Sequence, residues 1–260
     1  NKFQIGGVKM KAVRMYAPRD LRVEEVDIPS YEADECLIKV MAVGVCGSDI
    51  PRVNQYGAHV SPIIVGHEFG GQIVKTGDKV TKFKAGDRVT CPPLIPCFKC
   101  KYCEMGEYSL CEDYDYYGSR RDGAFAQYIA VKEGNLLKVD DKVSYEDAAT
   151  TDPCANALHS MMIGEFKPGD SVCVYGAGPI GLFAVQYAKI KGASKIIAVD
   201  VWEEKLEMAK KNGADVVINS MKEDAVAKVM EATGGNGADI VIDYSGAPIC
   251  QKAAINSAAK

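Results

Sequence analysis

Apolar residues follow two different rhythms along this chain. Up to about residue 150 they come in short runs, or alternate with polar residues, between turns rich in Gly, Pro and Asp. Met10–Met15, Leu37–Val45, Ile64–Val74, Asp87–Thr90 and Ala126–Val131 are the clearest segments. Period-two spacing over such lengths marks strands, so this region predicts a compact β-rich body with long loops. After Pro153 strand-like and helix-like segments alternate. Strands are expected at Ser171–Tyr175, Lys195–Asp200, Asp215–Ile218 and Asp239–Tyr244, and helices at Pro179–Lys191, Glu203–Asn212, Glu223–Ala232 and Pro248–Lys260. A βαβ series of this kind implies a parallel, doubly wound sheet. It stops at four strands where a complete dinucleotide fold has about six, so the sheet reads as truncated at the C-terminus. The expected domains are 1–153 and 154–260.

The glycines between the first strand and helix of this series change the picture from fold to function. Gly176-Ala177-Gly178-Pro179-Ile180-Gly181 follows a strand and opens a helix. The first glycine permits the tight turn, the second lets backbone approach a pyrophosphate, and the third lets helix and strand pack closely. The helix N-terminus then offers unpaired N–H groups to phosphate. Alone, such a run is weak. Asp200 ends the next strand about twenty residues on, where an acid accepts from ribose hydroxyls and repels a 2′-phosphate. No arginine stands in Val201–Glu204, so the pattern predicts NAD, with Lys205 as a further cofactor-side group.

Cysteine spacing supplies the second chemistry. Cys97, Cys100, Cys103 and Cys111 lie within fifteen residues, and four thiolates close a tetrahedral zinc shell with no open position. An iron–sulfur cluster is the rival reading. Cys46, His67-Glu68 and Asp152 form a dispersed set. Each has an ordinary explanation alone: a small buried hydrophobe, a core histidine, a turn residue. His59 reads equally as a substrate neighbour or a solvated loop residue, and His159 as a helix packing residue.

The remaining bulk properties exclude more than they select. The chain has 260 residues, 47% apolar and 25% charged, with 31 basic and 35 acidic side chains for a net charge of −4. That balance argues against a nucleic-acid or membrane-surface partner. No apolar run is long enough to span a bilayer. Asn1–Lys11 lacks the apolar core of a secretory signal, with Met10 readable as a native start. Clustered cysteines in this setting indicate metal, and the expected location is cytoplasmic.

Cys46-Gly47-Ser48-Asp49, Gly66-His67-Glu68-x-Gly70-Gly71, the four-cysteine lobe and the glycine turn, in this order, resemble the zinc-dependent medium-chain dehydrogenases. The resemblance runs from about Lys11 to Lys260. It implies a GroES-like catalytic domain joined to a Rossmann domain that binds NAD. It also implies two zinc ions per chain: a structural one in the cysteine lobe and a catalytic one at Cys46, His67 and an acid before a proline, here Asp152. Glu68 is the alternate ligand or a supporting group, and Ser48 begins a proton relay. Ile50-Pro51-Arg52, Asn54-x-x-Gly57-Ala58-His59 and Gly118-Ser119-Arg120-Arg121-Asp122-Gly123 place it near the galactitol-1-phosphate 5-dehydrogenase and sorbitol dehydrogenase branch.

That branch usually carries Glu where Asp152 stands, and Pro51 replaces a relay histidine found in many alcohol dehydrogenases. The implied reaction is oxidation of a secondary alcohol, foremost galactitol 1-phosphate to tagatose 6-phosphate. Arg52, Arg120 and Arg121 are then candidates for the substrate phosphate, since arginine's fork suits that group. Sorbitol or L-iditol, butanediol and threonine are alternative substrates. A catalytically silent zinc- and nucleotide-binding protein is the alternative of another class. The implied assembly is a homodimer or homotetramer.

Overall fold

The computed structural model describes residue 3 and residues 7–260; residues 1, 2 and 4–6, part of the segment read above for a signal, lie outside it. The chain divides into two compact units, Asn1–Asp152 and Pro153–Lys260.

In the first unit, strands β1 (Lys9–Ala17), β2 (Asp20–Asp27), β3 (Glu35–Gly44), β4 (Ile63–Ile64) and β5 (Glu68–Thr76) are followed by β6 (Arg88–Thr90), β7 (Leu94–Ile95), β8 (Asp115–Tyr116), β9 (Tyr128–Lys132) and β10 (Leu137–Lys138). They pair antiparallel in three sheets, ordered β2-β1-β4, β10-β6-β5-β3-β9 and β7-β8. Alternate residues of the five-stranded sheet, including Ile38, Phe69, Ile73, Val89, Ile129 and Val131, meet in the main core. Side chains on one face of a strand repeat every second residue, so this alternation is what buries them.

Two departures from the sequence expectations have plain causes. β2 is an edge strand whose alternate positions are mostly charged or exposed, so its apolar signal is thin. Ile64–Val74, expected as one strand, is broken at Gly66, whose φ of +90° no extended strand can contain. His67 therefore sits in a turn, and the strand begins at Glu68.

Gly66 is crowded as well as turned. A Cβ there would lie 2.6 Å from the Phe125 ring, and a Cβ on Gly123 would fall onto the Gly66 carbonyl oxygen. That oxygen accepts from Ala124 N at 2.9 Å. The chain at 118–124 thus presses directly on the backbone that presents His67.

The second unit carries four parallel strands, β11 (Ser171–Tyr175), β12 (Lys195–Asp200), β13 (Val216–Asn219) and β14 (Ile240–Asp243), in the order β13-β12-β11-β14. Val172, Val174, Ile196 and Ala198 pack on one face against Ala184, Val185 and Ala188 of helix Pro179–Ile190. Cys173, Tyr175, Ile197 and Val199 pack on the other against Val229. A parallel sheet covered on both faces needs apolar strands, and these are apolar apart from polar residues at their ends. The helix expected around His159 runs from Thr151 to Ile163. Asp152 and Pro153 occupy its first turn, where proline's missing N–H costs nothing. His159, expected to pack, is exposed; the helix buries Pro153, Ala157 and Met161 instead.

Gly123→Ala is expected to cost about 1–3 kcal/mol, because the added methyl cannot be accommodated without moving the Gly66 carbonyl. Urea unfolding of the variant measures this, and a stability equal to wild type would contradict the packing described.

Candidate functional site

Antiparallel pairing of β3 with β5 sets Gly44 opposite Glu68. A Cβ at Gly44 would stand 2.7 Å from Glu68 Oε2, so the missing side chain is what lets the carboxylate lie over β3. Two residues later the chain turns at Cys46-Gly47-Ser48-Asp49. Asp49 Oδ2 accepts from the Cys46 backbone N at 3.0 Å, and the Asp49 N–H donates to the Cys46 carbonyl at 2.9 Å. An aspartate bonding backbone three residues away makes a self-closing turn.

These elements bring one ligand atom each of Cys46, His67 and Glu68 within 4.8 Å of one another. Thiolate, imidazole and carboxylate together form a donor set suited to zinc. Asp152 stands outside this group of three, although its charge helps raise the pKa of Glu68. Burial is the larger cause of that rise, opposed by the Cys46 hydrogen bond and by His67. Burial likewise raises the Cys46 thiol, while the Ser48 hydroxyl, which donates to Cys46 Sγ at 3.3 Å, pulls it down. Ser48 itself is exposed.

His67 is 2% exposed, and its Nδ1 has no hydrogen-bond partner. The Asp49 carboxylate lies 3.7 Å from that nitrogen. A carboxylate on this side favours a proton on Nδ1 and leaves the Nε2 lone pair for a metal. With Nδ1 turned to Asp49, a free Nε2 lone pair beside a thiol and a second carboxylate fits a cation site.

Asp49, quoted in the motif but given no role from sequence, therefore holds Cys46 and faces His67 at once. It also accepts from Arg52 at 3.2 Å. Tyr116 was missed entirely. Its ring meets His67 edge-on at 5.7 Å between centroids, a contact across about fifty residues of chain that no local signal announces.

In the cysteine lobe, ligand atoms of Cys97, Cys100, Cys103 and Cys111 all lie within 4.8 Å of one another. Cys100 Sγ is 3.6 Å and Cys97 Sγ 3.9 Å from Cys103 Sγ, and none of the four forms a disulfide. The Cys97 backbone N donates to Cys111 Sγ at 3.2 Å. Backbone N–H groups of Glu112 and Cys103 hold the Cys100 thiol below its usual range, while burial pushes Cys103 up. Four convergent sulfurs leave no open position, so the donor set suits a structural ion.

The glycine turn is tight at both ends and open in the middle. Gly176 has φ of +89°, and a Cβ there would be 2.7 Å from Ser245 N. Nothing lies within 4 Å of a Cβ built on Gly178, which precedes helix Pro179–Ile190, whereas one on Gly181 would fall onto the Gly176 carbonyl oxygen. Ile180 lies in the first turn of that helix, behind Pro179. Asp200 Oδ2 accepts from Ala177 N at 2.8 Å, and Oδ1 from Val201 N and Trp202 N at 2.7 and 3.0 Å. Lys205 Nζ is 3.9 Å from the same carboxylate. A cavity of about 590 Å³ opens here, with Gly176, Gly178, Asp200, Lys205 and Tyr244 in its lining.

The three arginines do not form one cluster. Arg52 is paired with Asp49, and Arg121 with Asp115 at 3.4 Å. Arg120 stacks over the Tyr114 ring at 4.6 Å. Arg120, Arg121 and His59 line a separate open cleft of about 690 Å³ that Arg52 does not line. Adjacent strand residues point to opposite faces, so Asp115, with Arg121, lies across β8 from Tyr116 and His67.

Comparison with known proteins points to one family. Residues 32–141 match the model of the alcohol dehydrogenase GroES-like domain, and 179–260 that of the zinc-binding dehydrogenases. Sorbitol dehydrogenase of Bacillus subtilis is 38% identical over 95% of this chain and 72% of its own length. The chain belongs to the zinc-dependent medium-chain alcohol dehydrogenases. Galactitol 1-phosphate 5-dehydrogenase of Escherichia coli K12 is 42% identical over 83% of this dehydrogenase and 63% of its own length. A zinc-binding dehydrogenase of Sinorhizobium meliloti, solved bound to NADP, superposes with a TM-score of 0.93 at 31% identity, covering 97% of this chain and 74% of its own. Among the described residues no helix is long and apolar enough to cross a membrane.

Proposed function

We propose that this dehydrogenase oxidises a secondary alcohol of a polyol or polyol phosphate with NAD, using zinc at Cys46, His67 and Glu68, with Asp152 nearby, and a second zinc in the cysteine lobe. The convergence of Cys46, His67 and Glu68 carries this reading. When bound at Cys46, His67 and Glu68, zinc would supply Lewis-acid activation of the alcohol, and NAD would supply the hydride acceptor. The chain's own residues do the rest. Cys46 would give up its proton on loading, so that loading would depend on pH. Asp49 fixes the Cys46 backbone and biases the His67 tautomer. Ser48 would carry the alcohol's proton to solvent, a role supported by its exposure and its bond to Cys46, since Pro51 offers no titratable group.

Galactitol 1-phosphate is the first substrate reading, supported by the relative of that name at 42% identity. The arginine geometry favours a second, an unphosphorylated polyol, because Arg52 and Arg121 already have carboxylate partners. An NAD-reduction assay with polyols and their phosphates separates the two. Preference for the phosphate, weakened by Ala at Arg52, Arg120 or Arg121, supports the first; preference for the free polyol with no effect of these changes supports the second. Reduction of NAD by neither class would contradict the enzyme reading.

Metal analysis is expected to find two zinc ions per chain. Cys46→Ala should leave one and lower turnover by more than about a hundredfold, the loss that disturbing a ligand's supporting groups alone can produce. A wild-type count of one would favour a silent zinc protein.

Asp200 supports the NAD preference, because its carboxylate sits where a 2′-phosphate would be repelled. Asp200→Ala should narrow that preference. It should also weaken NAD binding about tenfold, as the glycine turn loses the bond that holds it ready for the ligand. Equal use of NADP by the wild type in steady-state kinetics would overturn this assignment.

A further inference from the structure

The order of the parallel sheet fixes where each part of a dinucleotide can lie. Ligands of open α/β sheets sit outside the carboxyl ends of the strands, at the point where the strand order reverses. The glycine turn follows β11, and Asp200 ends β12 on one side of it. With phosphate at the turn and adenosine ribose toward Asp200, the remaining nucleoside must run over the opposite neighbour of β11. That neighbour is β14. The residue directly after β14 is Tyr244.

Tyr244 abuts the turn and is fixed in three ways. Its backbone N donates to the Tyr175 carbonyl at 2.7 Å, and a Cβ on Gly176 would touch its carbonyl carbon at 2.9 Å. Its ring continues the alternation of Ile240 and Ile242, packing in the cluster that holds Ala157, Met161 and Ile180. Its phenol lies 2.5 Å from Ser160 Oγ. The Ser160 hydroxyl has one proton and directs it at the carbonyls of Asn156 and Ala157, at 2.9 and 3.0 Å. Tyr244 is therefore the donor and Ser160 the acceptor. Burial raises the Tyr244 pKa, which keeps the phenol protonated and able to donate.

We infer that Tyr244, locked by Ser160, is a positioning residue for the nicotinamide half of the cofactor: it forms the back wall against which that half is seated. This rests on the reading of the protein as a nicotinamide-dependent dehydrogenase. A phenyl ring without the lock keeps its bulk but gains rotamer freedom, so the wall should soften without the pocket being lost. The adenosine half, over β12, should not sense the change.

Calorimetric titration of the whole chain with NADH and with ADP-ribose, which lacks the nicotinamide, tests this. Tyr244→Phe should weaken NADH binding about fivefold, since the freed ring must be ordered again when the nicotinamide half is seated, and leave ADP-ribose within about twofold. Ser160→Ala removes the same bond from the other side and should act alike. The double variant should be no worse than either single one, since both delete one interaction. Equal loss for both ligands, which general damage to the fold would produce, overturns the inference, as does no loss for NADH. A wild-type chain that binds neither ligand instead refutes the dehydrogenase reading on which the inference stands.

Discussion

Asp49 is a buried carboxylate asked to satisfy three neighbours at once. It accepts the Cys46 backbone N–H and the Arg52 guanidinium, and it faces the otherwise unpartnered Nδ1 of His67. A buried charge is tolerated only when paired and hydrogen-bonded, so its position dictates theirs. The loop after β3 closes on it, and the turn before β5 is held opposite by the pressure of residues 118–124 on Gly66. Cys46 and His67 come from segments twenty residues apart, and this arrangement is what brings them into register with Glu68. The convergence of these three side chains is in this sense a consequence of burying one aspartate between two strands.

The nucleotide-binding unit uses the same device with a different acid. Asp200 spends its carboxylate on backbone N–H groups of Ala177, Val201 and Trp202, tying the glycine turn to the end of β12. The turn is thereby held ready before any ligand arrives, which lowers the ordering cost of binding. On its other side the turn meets β14, where Tyr244 and Ser160 provide a second fixed boundary. An acid at the end of β12 and an aromatic directly after β14 thus bound the turn on the two sides of β11.

Much of this was legible in the sequence where the signal is local. The glycine turn and the strand before it, Ser171–Tyr175, were readable because steric need and apolar periodicity act over a few residues. The cysteine lobe was readable for the same reason, as four ligands in fifteen residues have few other uses. Contacts made across the fold were not. Nothing near Tyr116 announces His67, and nothing near Ser160 announces Tyr244, 84 residues away. β2 escaped notice because an edge strand need not be apolar, and Gly66 hid a break that apolar flanks disguised. The arginines were legible as charge but not as paired charge, since the acids that engage them are chosen by tertiary geometry.

The central claim is that Cys46, His67 and Glu68 form a cation site distinct from the cysteine lobe. Anomalous diffraction at the zinc edge, from crystals grown with zinc, tests it most directly. Two peaks are expected, one among the sulfurs of Cys97, Cys100, Cys103 and Cys111 and one in contact with Cys46, His67 and either Glu68 or Asp152. A single peak in the lobe, or a second peak held by other residues, would contradict the account.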